Sequence, residues 1–209
     1  MIAEDDVVKE RLEKEVYPSN QEILKIERSK LELDPSAHNY ETKAYQKMVS
    51  GRATHILQKL QAGFNVIYCD VDSVWRSSPL PYIEPADKVD MILQVDINNY
   101  FGHPLYYCTG FMAIVSNNAT AAFIKDWQKS LETPQLNQPI FNDILYKRSV
   151  VRHQGLPKPE FPSGGDFFSR HYTPEMLAKA VVVHNNYIIG HDPKKKRFVN
   201  HQLWKISDN

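Results

Sequence analysis

Phe64-Asn65-Val66-Ile67-Tyr68-Cys69-Asp70-Val71-Asp72-Ser73-Val74-Trp75 is the stretch on which the fold turns. From Phe64 to Cys69 it is mostly apolar, β-branched or aromatic, the composition of a central strand covered on both faces. Two acids two residues apart follow. On an extended chain residues i and i+2 point the same way, so the spacing predicts that the carboxylates of Asp70 and Asp72 lie close together. Like charges at ~4 Å repel by roughly 4 kcal/mol at an effective dielectric near ~20. A protonated carboxyl or a divalent cation relieves that repulsion. A hard cation, Mn²⁺ or Mg²⁺, suits oxygen ligands, and a diphosphate can supply the remaining oxygens. In an open α/β sheet such a site sits beyond the carboxyl ends of the strands. A fold that buries either carboxylate in a salt bridge with Arg or Lys, or that turns the two to opposite sides, would end the argument for a cation seat. The spelling alone is weak: thirteen aspartates in 209 residues give about one Asp-x-Asp pair by chance.

Around this stretch strands alternate with helices. Upstream, an amphipathic helix is expected from Glu41 to Gln61, with Ala44, Met48, Ile56, Leu57 and Leu60 inward and Gly63 at its end. Residues 28–40 read as a loop containing Pro35, after a short strand at Ile23–Ile26. Met1-Ile2-Ala3 then Glu4-Asp5-Asp6 reads as a strand end entering a helix, with Val7, Val8, Leu12 and Val16 on one face and Pro18 as its stop. An α/β domain rarely opens on a strand end, so a truncated start is expected. Downstream, strands are expected at Val89–Val95 and Cys108–Val115, then helices at Ala119–Leu131, capped by Asn117 or Asn118, and at Ile140–Tyr146. Residues 152–175 are rich in Pro and Gly and read as loop. Ala180–Val183 reads as a last strand leading into His184 and a basic tail. The order predicts one α/β domain over residues 1–209 with a mixed, mainly parallel sheet flanked by helices.

Composition narrows the function. Lys plus Arg (25) balances Asp plus Glu (25), which argues against nucleic acid as a partner, since phosphate binding normally takes a basic face. Two cysteines, Cys69 and Cys108, make neither a disulfide scaffold nor a zinc site and read as free thiols. Asn118-Ala119-Thr120 is a sequon of the kind that arises by chance in a chain of this size. No apolar run is long enough to span a bilayer.

The stretch from Phe64 to Tyr82 resembles the nucleotide-diphospho-sugar transferase family, which includes plant cell-wall xylosyl- and arabinosyltransferases. The resemblance continues through Cys108-Thr109-Gly110-Phe111-Met112, where the family reads N-T-G-F. It extends to Gln138 with Phe141-Asn142 (family D-Q-x-x-F-N) and to His184-Asn185-Asn186-Tyr187 with Gly190 and a following lysine. These matches keep the family's order across residues 40 to 204. Ala3-Glu4-Asp5-Asp6 and its helix resemble the family's second β/α unit, leaving the first one missing.

The resemblance implies a GT-A fold and Mn²⁺-dependent (or Mg²⁺-dependent) transfer from a nucleotide sugar, a UDP-sugar by preference. It implies a glycan or glycoprotein acceptor, retention at the anomeric carbon, and a Golgi setting reached through an anchor absent from this chain. Asp70, Asp72 and His184 match the metal ligands. Arg52, Asp70, Thr109, Gly110, Gln138, Gly190 and Lys194 match the donor-binding positions, with Lys194 heading a Lys194-Lys195-Lys196-Arg197 run that also reads as a solvated face. Asn137 stands where the family has an acid and can hydrogen-bond without supplying charge. No catalytic residue is assigned; Gln138, Asn137 and Asp166 are the candidates, with Asp96 as a further strand-end acid that could face the acceptor. Two rivals stay open at this point. One is a non-catalytic, sugar-binding fragment of the same fold. The other is a haloacid-dehalogenase-like phosphohydrolase, which also has Asp-x-Asp after a strand but needs a later acidic cluster, for which Gly165-Asp166 offers one acid.

Overall fold

The computed structural model describes residues 2–3, 6, 9–10, 27–28, 42–83, 88–100, 102–131, 136–169 and 171–204. The first helix described in full, α1 (Lys43–Gln61), starts where Thr42 accepts a hydrogen bond from the Tyr45 amide. That satisfies one of the amides a helix start leaves unpaired. Ala53, Ile56, Leu57 and Leu60 lie on its buried face, as the periodicity predicts. The side chains of Ala44 and Met48 lie outside the described residues. So do the strand expected at 23–26, nearly all of the 28–40 loop and most of the first helix. At the start, β1 (Ile2–Ala3) pairs in parallel with β2 (Glu27–Arg28).

The main sheet has the order β3 (Val66–Cys69), β6 (His103–Ile114), β5 (Met91–Tyr100), β7 (His153–Gly155). The α/β class and the mixed sheet are as expected. The share of parallel pairing differs. Within this sheet only β5 and β7 run parallel; β3 and β5 both flank β6 antiparallel. The cause is a long β5–β6 hairpin that turns at Asn99 (φ 52°) and Gly102 (φ 76°). Its outer half, Asp96 to Tyr107, is interrupted by Asn98-Asn99, Gly102 and Pro104, so neither strand was expected to reach so far. β3 is also not the covered central strand its composition predicts. Among the described strands it is an edge, with Phe64 62% and Ile67 41% exposed.

Side chains alternate across the sheet and build two cores. On one face Met91, Leu93 and Met112 pack with α1, α3 (Asn118–Ser130) and α4 (Asn137–Lys147) around Phe123, Trp127 and Phe141. On the other, Ile92 and Phe111 pack with Leu156, Phe161 and Val182. Asn117 caps α3 through a reciprocal pair with Thr120, so the sequon threonine is a buried capping residue. The fourth helix begins at Asn137, three residues before the expected start, because Pro139 is tolerated in a first turn.

Four further pieces frame the lip of the sheet: the helices α2 (Leu80–Ile83), α5 (Gly164–Phe167) and α6 (Pro174–Lys179), and the pair β4 (Ser73–Trp75) with β8 (Val182–His184). The segment read as loop at 152–175 therefore holds β7, α5 and the start of α6. The basic tail is a helix, α7 (His191–Asn200), launched from Gly190 at φ 96°. Phe198 is its one buried residue, so it lacks the apolar stripe by which helices are recognised.

Candidate metal centre and donor site

Asp70 leaves β3 with its amide on Gly110 O at 2.8 Å, and Ser73 N closes the turn on Asp70 O at 3.2 Å. The chain then reverses into β4, whose Ser73 lies opposite His184 on β8, while Asn185 N donates to Asp72 O at 2.8 Å. Strand pairing thus brings a distant histidine onto the two acids. Ligand atoms of Asp70, Asp72 and His184 all lie within 4.8 Å of one another. His184 Nε2 is 3.6 Å from Asp70 Oδ2 and 3.3 Å from Asp72 Oδ1. Gly110 makes the room: a Cβ there would stand 2.2 Å from His184 Cε1 and 2.9 Å from Asp70 Oδ2.

Both carboxylates face the same side, and both are in ion pairs. Arg52 lies 3.2 Å from Asp70 Oδ1, and Lys194 Nζ pairs with Asp72 Oδ2. Either alternative alone is enough to end the cation argument; the ion pairs of the first are present, with the carboxylates 22% and 17% exposed and so short of full burial. Each acid nevertheless keeps its other oxygen on His184. Burial alone would raise the Asp72 carboxyl; His184 and Lys194 outweigh it and hold the group well below the usual carboxylate range. Burial opposes charge on His184, yet the Cys108 sulfur, Asp72 and Asp70 raise it well above an ordinary imidazole. Two carboxylates and an imidazole nitrogen converging on one point, beside the fixed Arg52 and the more exposed Lys194, fit a divalent ion of the Mn²⁺ or Mg²⁺ kind.

A polar chain extends from the acids across the sheet. Arg52 donates to Thr109 O at 2.8 Å and Thr109 Oγ1 at 2.9 Å. Thr109 Oγ1 donates to Asn137 Oδ1 at 3.0 Å and its amide to Gln138 Oε1 at 3.4 Å. Gln138 Nε2 donates to Asp96 Oδ2 at 2.8 Å, and Tyr187 OH donates to Asp96 Oδ1 at 2.9 Å. Tyr187 holds that position at φ 58°, a conformation uncommon outside glycine and enriched at functional sites. Burial pushes the Asp96 carboxyl up, with Gln138 and Tyr187 opposing. Asn137 spends its amide on Val49 O at 3.2 Å and so acts as a brace for Thr109. Gly190 starts α7, which is tied to β8 by Asn185 and Arg197 and so carries Lys194 to Asp72. Asp166 stands apart, 3.1 Å from Lys158 and 3.0 Å from Ser163 Oγ. It adds no acid to the cluster, which removes the feature a phosphohydrolase would need. Sequence reasoning passed over Tyr68, whose hydroxyl donates to Asp70 Oδ1 at 2.7 Å, although its i−2 position on the strand was the signal. It also passed over Gln94, the one polar residue in the run Met91–Val95.

A mixed α/β sheet carrying an Asp-x-Asp turn and a histidine at its lip defines the class of GT-A-like glycosyltransferase folds. A solved structure, a glycosyltransferase involved in the glycosylation of the major capsid of PBCV-1, superposes with a TM-score of 0.53 at 13% identity over 84% of each chain. The chain belongs to the nucleotide-diphospho-sugar transferase family, whose model matches residues 1–198. It is 34% identical to UDP-D-xylose:L-fucose alpha-1,3-D-xylosyltransferase 3 of Arabidopsis thaliana over 85% of this chain and 52% of the relative. It is 27% identical to UDP-galactose:fucoside alpha-3-galactosyltransferase of Dictyostelium discoideum over 83% of this chain and 30% of that protein. The chain spans about half the length, or less, of these relatives. Among the described residues no helix is long and apolar enough to cross a membrane.

Proposed function

We propose that this domain transfers a sugar from a nucleotide-diphosphate donor, a UDP-sugar, to a hydroxyl of a glycan or glycoprotein acceptor, with retention and with a divalent cation at Asp70, Asp72 and His184. The convergence of those three side chains at the lip of the sheet is the observation that carries the reading. A bound Mn²⁺ or Mg²⁺ would neutralise the charge that develops on the leaving diphosphate. Lys194, freed from Asp72, turns to a phosphate oxygen and adds to that stabilisation. Arg52 stays as the clamp that fixes Asp70 and Thr109 relative to each other. Gly110 lets the His184 ring approach the acid pair because it has no Cβ, and Thr109 lies beside it towards the donor sugar. Asp96, held by Gln138, supplies the negative charge near the transferred sugar that Asn137 lacks. The setting that goes with this reading is the Golgi lumen.

One observation favours a second reading. Arg52 and Lys194 already neutralise the acid pair, as in a sugar-binding protein of this fold that uses no metal. Calorimetric titration with UDP separates the two. On the first reading Asp72→Ala abolishes Mn²⁺-dependent UDP binding. An unchanged titration of that variant, or wild-type binding indifferent to EDTA, rules the first reading out.

A further inference from the structure

Gln94 sits on β5 with no accessible surface, in a strand otherwise built from Met91, Ile92, Leu93 and Val95. A buried amide is costly unless its groups are paired. Both sides of this one are. Its Nε2 donates to Phe161 O and to Pro162 O, each at 3.1 Å. Backbone carbonyls only accept, so these two contacts fix which end of the amide is nitrogen. Oε1 must then point the other way, and it lies 3.2 Å from His184 Nδ1. An amide oxygen also only accepts, so the proton between them belongs to Nδ1. The sulfur of Cys108, 3.5 Å from the same nitrogen, is a second acceptor there. Pro162 O receives the His184 backbone amide as well, at 3.3 Å, so one loop carbonyl sets both the histidine's backbone and the glutamine that holds its ring.

From this we infer that Gln94 is a positioning residue: it fixes the His184 ring with Nδ1–H on the amide, and so aims Nε2, which gives up its proton when a cation binds, at the point where Asp70 and Asp72 converge. The inference rests on the cation reading above and adds to it the residue that makes His184 a competent ligand. Partners of this kind around a ligating histidine are worth roughly 10–100-fold in metal affinity. A neutral amide does the orienting without adding a third negative charge beside two carboxylates.

The test is Mn²⁺ binding to the full chain, read from the electron paramagnetic resonance signal of free Mn²⁺, with circular dichroism melting to confirm the fold. Gln94→Leu should weaken Mn²⁺ binding about tenfold or more, and should cost nothing further in a His184→Ala background. Gln94→Glu keeps an acceptor opposite Nδ1 while losing a donor to the loop, and should bind Mn²⁺ more tightly than Gln94→Leu. It also serves where the leucine variant does not fold. An equal loss in both backgrounds, or no rescue by glutamate, makes the role purely structural and overturns the inference. Wild-type binding that is weakened by His184→Ala but untouched by Gln94→Leu overturns it alone. A wild-type chain that takes up no Mn²⁺ overturns the cation reading, and the inference with it.

Discussion

Asp70 and Asp72 differ in how they are held, and the difference sets what each can do. Asp70 is gripped on Oδ1 by the Tyr68 hydroxyl and by the nearly buried Arg52, itself bound to Thr109. Among the described residues Asp72 is gripped by the half-exposed Lys194 and by its neighbour His184. Arg52 is thus a fixture and Lys194 a movable arm. Lys194→Met should therefore tighten binding of Mn²⁺ alone several-fold and weaken binding of UDP in the presence of Mn²⁺, two opposite shifts that calorimetry resolves. Tyr68→Phe removes one hydrogen bond to a carboxylate and should lower stability by about 1–2 kcal/mol in a denaturant titration. Gly110→Ala should fold with the sheet register intact yet lose Mn²⁺ affinity, since its methyl meets the His184 ring. The acid pair was legible because i, i+2 spacing on a strand is local geometry. Gln94 was not, because a lone glutamine in an apolar run gains its meaning only from a loop and a strand that lie far along the chain.

Elements owe their placement here to a few polar stitches. Asp90 accepts from Arg152 N, Nε and NH2 and from Asn117 Nδ2, tying the start of β5 to β7 and to the cap of α3. The Arg152 guanidinium, against some burial, brings the Asp90 carboxyl down to about 2 from 3.8. A folded value below the unfolded one means the stabilisation is complete above pH ~4 and is lost as pH falls towards ~2. Thermal melts should accordingly lose stability over that interval, and Asp90→Asn should flatten the loss. The helices of the α1, α3 and α4 layer were legible because each carries an apolar stripe, and α1 and α3 a capping side chain as well. The outer half of the β5–β6 hairpin and α7 were not. Asn, Gly and Pro break up the first and the second lacks an apolar stripe, and they are held by strand pairing and by a dock onto the end of β8 that no local periodicity records.

At the scale of the molecule, two apolar layers enclose a sheet whose lip carries Asp70, Asp72, His184 and the polar chain through Thr109, Gln138 and Asp96, while Asp166 pairs with Lys158. Family membership was readable from the order of short motifs, each weak by itself. The strand polarity was not, because pairing direction is a property of partners and not of a single strand. The ion pairs that close the acid cluster are what the sequence reading gives as ending the cation argument. On the function proposed above they are the resting state of a site whose lysine moves onto a phosphate. Calorimetry of UDP with the full chain, run once with Mn²⁺ and once with EDTA, decides between these directly. Binding that requires Mn²⁺ and disappears in Asp72→Ala and His184→Ala is the predicted result. UDP binding of equal strength in EDTA, or Mn²⁺-dependent binding that survives both substitutions, would contradict it.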